Sequence, residues 1–99
     1  MMRLSILKSV REAPSPTGAG CHQVYIYEYL PTDTQFPIEK WIISDYPIGQ
    51  AREAFLIVGA YLAEQFSDPT DKGTPALTES DVEAVRQAVS RELKRKHSQ

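Results

Sequence analysis

Apolar residues recur with period two in the first half of this chain and with a helical period in the second, and the switch falls near residue 48. In residues 3–11, Leu4, Ile6 and Val10 fall on one face and Arg3, Ser5, Ser9 and Arg11 on the other, which predicts a half-buried strand with Leu7 and Lys8 out of pattern. Residues 22–30 carry the clearest strand: Val24, Ile26 and Leu30 alternate with Tyr25, Tyr27 and Tyr29, and both sets favour extended backbone. Glu28 falls in the aliphatic set, so that face is expected to open to solvent near the strand's end. A third strand is predicted from Phe36 or Ile38 to Ser44, where Ile38, Lys40 and Ile42 alternate with Glu39, Trp41 and Ile43. Apolar residues on both sides suit a strand covered on both faces. Residues 13–20, with two prolines and two glycines, are too long for a tight hairpin turn and are expected to form a mobile connector.

Residues 54–63 are uncharged and lie within a predicted helix over residues 50–67, ended by Asp68-Pro69 because the residue before a proline is pushed out of the helical region. Its front is Ala51, Phe55, Val58, Gly59, Leu62 and Phe66, expected to face the sheet, with Phe55→Ala costing about 3–5 kcal/mol. The back carries Leu56, Ile57, Ala60 and Tyr61, and a helix apolar nearly all round needs cover on both sides. Residues 68–77 read as a polar linker. A last helix over residues 79–96 is announced by two possible capping frames, Ser80 with Glu83 and Thr78 with Asp81. Its apolar stripe, Val82, Val85, Val89 and Leu93, is narrow. Acids in its first turn and Arg91, Lys94, Arg95 and Lys96 in its last turns complement the helix dipole. The order is β-β-β-α-α. It predicts an α+β fold, a three-stranded antiparallel meander with two helices on one face.

Ninety-nine residues make one domain, and 41% hydrophobic with 24% charged residues is the composition of a folded protein. The net charge of −2 gives no global attraction to nucleic acid or anionic membrane. The uncharged run is far shorter than the roughly 18–20 apolar residues of a bilayer span, the N-terminus lacks the apolar core of a signal peptide, and Cys21 has no cysteine to pair with. These features predict a cytoplasmic protein with no membrane partner.

Candidate chemistry is sparse. Cys21 beside His22 has the residue types of a nucleophile and base, but strand neighbours point to opposite faces, and no third group that would orient the histidine is evident in the sequence. His22 and His97 lack a second ligand at metal spacing. No catalytic, metal or cofactor residue is assigned, and an enzyme is not expected. The leading expectation is a small non-enzymatic protein-binding module (an adaptor, inhibitor or regulatory subunit) that pairs with itself as a homodimer and with an unidentified protein. Its interface is expected at Leu56, Ile57, Ala60 and Tyr61, with Val82, Val85, Val89 and Leu93. Ile57→Asp is expected to damage assembly. The alternative is a nucleic-acid-associated accessory protein that stacks bases on Tyr25, Tyr27 and Tyr29 or binds phosphate with Lys94, Arg95 and Lys96. It is less favoured because no cation lies among the tyrosines in sequence. A third reading, a small ligand-binding or enzymatic domain, has no motif in its favour.

Overall fold

In the computed structural model, which describes residues 5–18, 20–66 and 74–97, the chain runs β1 (Leu7–Pro14), β2 (Cys21–Tyr29), β3 (Glu39–Pro47), α1 (Ile48–Gln65) and α2 (Glu79–His97). The expected strand start at Arg3 and Leu4, the helix stop at Asp68-Pro69 and most of the linker lie outside the described residues. The strands form an antiparallel meander in the order β1-β2-β3. Both helices pack on one face, where Val24, Ile26 and Ile43 meet Ala54, Val58 and Leu62 of α1 and Val82, Val85 and Val89 of α2. The predicted fold class is the observed one.

Glu28 overturns the expectation of an open strand end. It is 1% exposed and sits in the aliphatic set because three other parts of the chain supply donors to it. Trp41 Nε1 on β3 donates to Oε1 at 2.7 Å, and the Leu77 amide donates to Oε2 at 2.9 Å. Lys8, its register partner on β1, places Nζ 3.6 Å from Oε2. The same ammonium donates to the carbonyls of Ile6 and Pro75, at 3.1 and 2.8 Å. Burial pushes the Lys8 ammonium below its usual range, while the charge and hydrogen bond of Glu28 pull it back up. Lys8 and Glu28, each out of pattern in its own strand, are partners across the sheet.

Leu77, assigned to a polar linker by sequence, belongs to the core and is 4% exposed. It stands just before the cap of α2. The Thr78 amide donates to Asp81 Oδ2 at 2.9 Å and the Asp81 amide to Thr78 Oγ1 at 3.2 Å, which selects the Thr78 and Asp81 capping frame. Leu77 and Val82 occupy the two positions of a hydrophobic staple, and both lie in the same core cluster. Thr74 itself is tied to the start of the sheet, its carbonyl accepting from the Ile6 amide at 2.8 Å.

The connector between β1 and β2 is shorter than its composition suggests. Ala13 and Pro14 are strand residues opposite Gln23 and His22. The turn closes with Ser15 N–H donating to the Cys21 carbonyl at 3.0 Å, while Gly18 and Gly20 adopt φ of 71° and 69°, where a side chain is strained. β3 runs to Pro47 and passes straight into α1, and its register shifts opposite Val24 and Tyr25. Ile43 lies at that shift and reaches the core, while Arg86 of α2 donates to the carbonyls of Ile43 and Ile42 at 3.0 and 2.6 Å. α1 is rotated from the expected front. Ala51, Ala54, Val58 and Leu62 are its buried residues, and Phe55 is half-buried under the Arg52 guanidinium at 5.1 Å. Phe55→Ala therefore leaves no closed core cavity, and the cost expected for a buried phenylalanine does not apply.

Glu28→Gln should lower the unfolding free energy by about 1–3 kcal/mol, because a carboxamide has one acceptor oxygen where the carboxylate accepts from Trp41 on one oxygen and from Leu77, beside Lys8, on the other. Urea unfolding followed by circular dichroism checks this; an unchanged midpoint would show that the buried carboxylate contributes little.

Candidate functional site

Since both helices cover the Val24 and Ile26 side of the sheet, alternation puts Tyr25, Tyr27 and Tyr29 on the other side, which neither helix covers. Tyr25 and Tyr27 pack edge to face with ring centres 5.0 Å apart, as do Tyr27 and Tyr29 at 6.1 Å. The flanking strands complete the face. Register sets Leu7, Ser9 and Arg11 of β1 opposite Tyr29, Tyr27 and Tyr25, and Lys40 and Ile42 of β3 opposite Tyr27 and Tyr25. Leu7 and Ile42 are 43% and 45% exposed.

The structure brings cations to the tyrosines that the sequence does not show beside them. Lys40 Nζ lies 4.5 Å from the centre of the Tyr25 ring and the Arg11 guanidinium 5.8 Å from that of Tyr27. Arg11 also donates to the Tyr29 hydroxyl at 3.2 Å. The acid that shares this face in the register is Asp45, opposite Gln23 and beyond the register shift. Partial burial raises the Tyr25 phenol above its ordinary 10.0, Tyr27 adds to the shift, and Arg11 opposes it.

The basic tail is elsewhere. Lys94, Arg95 and Lys96 are exposed on α2, on the helix-covered side of the sheet, and Arg95 pairs with Glu92 at 2.8 Å. The tyrosines and the tail thus do not form one surface. The residues expected at a protein interface divide as well. Val82, Val85 and Val89 are fully buried in the core, and Ile57, Tyr61 and Leu93 are half-buried against it. Only Leu56 and Ala60 of that set are exposed, on the α1 wall of a groove of about 500 Å³ between the two helices. Ile57→Asp would consequently strain the fold itself and is a poor probe of assembly.

His22 Nδ1 lies at hydrogen-bond distance from Glu12 Oε2, 3.0 Å, so an orienting carboxylate does exist. Cys21 nevertheless falls on the opposite side of β2, and the pair does not converge as nucleophile and base. Among the described residues no group of three histidine, cysteine or acidic side chains is placed to hold a metal ion, and no helix is long and apolar enough to cross a membrane. No family model, curated protein or solved structure matches the chain. The site is therefore read from its geometry.

Because the fold holds the Tyr25 phenol neutral beyond its ordinary range, its contribution to stability is present in full below pH 10.0 and is lost as pH rises through the folded value. In a spectrophotometric titration, the difference between wild type and Tyr25→Phe should show Tyr25 ionising above pH 10.0. Ionisation at or below that value would mean that the ring is not held as described.

Proposed function

We propose that this chain is a small non-enzymatic protein-binding module, an adaptor, inhibitor or regulatory subunit, which takes an acidic segment of a partner protein on its open sheet face. The observation that carries this reading is the placement of Arg11 and Lys40 over a tyrosine row that neither helix covers. Tyrosine and arginine are enriched at protein interfaces and supply much of their binding energy. The face has flat apolar area at Leu7 and Ile42, hydroxyl groups along its centre and positive charge on both flanking strands. A chain of net charge −2 that gathers cations here is suited to an acidic partner by charge complementarity.

The same cations favour a second reading, binding of single-stranded nucleic acid, more than the sequence does. Two features weigh against it. The rings interlock edge to face, and Lys40 and Arg11 lie where a stacked base would have to lie.

The test is affinity capture from the native host with wild type and with Arg11→Glu/Lys40→Glu. Wild type should retain a protein partner through an acidic segment, and the variant should lose it while keeping the wild-type circular dichroism spectrum. Retention of the same partner by the variant would refute the sheet-face reading. A complex destroyed by nuclease, and weakening steeply with salt, would replace it with the nucleic-acid reading.

A further inference from the structure

The exposed ridge of α1 is complementary to itself. Arg52, Leu56, Ala60 and Glu64, at four-residue spacing, are all exposed, with Leu56 at 56%. At roughly 100° per residue, Leu56 and Ala60 each lie about 20° from the direction opposite Val58, which is fully buried. Arg52 and Glu64 lie about 60° from that same direction, one on either side. Along the helix the ridge reads cation, large apolar, small apolar, acid. Consider a two-fold axis passing between Leu56 and Ala60, with a second α1 running antiparallel to the first. Leu56 then meets Ala60 of the second copy, bulk against a gap, and Arg52 meets Glu64 of the second copy. Symmetry repeats both contacts.

The charges of α1 supply a second, independent reason. α2 begins with Glu79 and Asp81 and ends in cations, as its own dipole favours. α1 has no acid in its first turn and no base in its last; Arg52 lies towards its N-terminal end and Glu64 in its final turn. Glu64 is unfavourably placed at the negative end of a lone helix, while Arg52, the fifth residue and followed by Glu53, lies beyond the first turn. In an antiparallel pair each Glu64 approaches the positive N-terminal end of the other copy and each Arg52 its negative C-terminal end, so the placement of Glu64 becomes favourable.

The geometry points to a homodimer formed by antiparallel two-fold packing of α1 on α1, with Leu56 seated over Ala60 and reciprocal Arg52–Glu64 ion pairs. This surface lies across the molecule from the tyrosine face and stands independently of what that face binds.

Sedimentation equilibrium with native mass spectrometry tests the dimer through Arg52→Glu and Glu64→Arg. Wild type should show a concentration-dependent monomer–dimer equilibrium. Each single variant sets like charges together at both ends and should self-associate about tenfold more weakly or less. An equimolar mixture of the two variants restores both ion pairs, because every glutamate then faces an arginine, and it should yield a heterodimer as tight as wild type. Arg11→Glu/Lys40→Glu should leave the dimer unchanged. A wild type monomeric at every concentration, single variants that pair as tightly as wild type, a mixture no tighter than its components, or loss of the dimer in the sheet-face variant would each overturn the proposal.

Discussion

The buried carboxylate of Glu28 is the constraint to which the rest of this fold answers. A lone ionised carboxylate in an apolar core is prohibitively unfavourable, so this arrangement exists only when donors from elsewhere reach it. Here they come from three segments: the Lys8 ammonium of β1, the Trp41 indole of β3 and the Leu77 amide ahead of α2. Sliding either strand by one residue would take its donor to the wrong face of the sheet and strand the charge. The node therefore acts on strand register, and on the placement of Leu77 ahead of α2, more than on net stability.

From that node the two-sided character of the molecule follows. With Leu77 fixed beneath the sheet, the Thr78–Asp81 cap starts α2 beside α1, and Val82, Val85 and Val89 drop into the core over Val24 and Ile26. Arg86 then reaches the carbonyls of Ile42 and Ile43 at the irregular part of β3. All the helical cover is spent on one face. The tyrosines are left on the other, among Leu7, Ser9, Arg11, Lys40 and Ile42 of the flanking strands, with Tyr29 buried and Tyr25 and Tyr27 half-buried, and the outer ridge of α1 is left facing solvent. Two surfaces with different chemistry result, one aromatic and cationic, the other apolar at its centre with opposite charges at its ends.

Element order and strand alternation were legible from the sequence because period two and the helical period are local signals. The placement of Tyr25, Tyr27 and Tyr29 on a common face needed only the pleat. What was not legible depends on register. Lys8 and Glu28 look like two unrelated defects until the hairpin is closed, and Arg11 and Lys40 are remote from the tyrosines until β1 and β3 are laid alongside β2. The rotation of α1, with Ala54 rather than Phe55 turned to the core, reflects tertiary packing of small residues against the sheet, which a hydrophobicity count overlooks. Leu77 could have been found, since an apolar residue just before a capping threonine and four positions after the cap another apolar residue form the staple pattern.

Native-state hydrogen exchange reads whether Glu28 ties the approach to α2 into the sheet as one cooperative unit. The amide proton of Leu77 and the indole proton of Trp41 are the two reporters, because both are donated to that carboxylate. Both should exchange only through global unfolding, with the same urea dependence as the amides of Val24 and Ile26. Exchange of the Leu77 amide at the rate of an exposed loop, while Val24 and Ile26 stay protected, would contradict it.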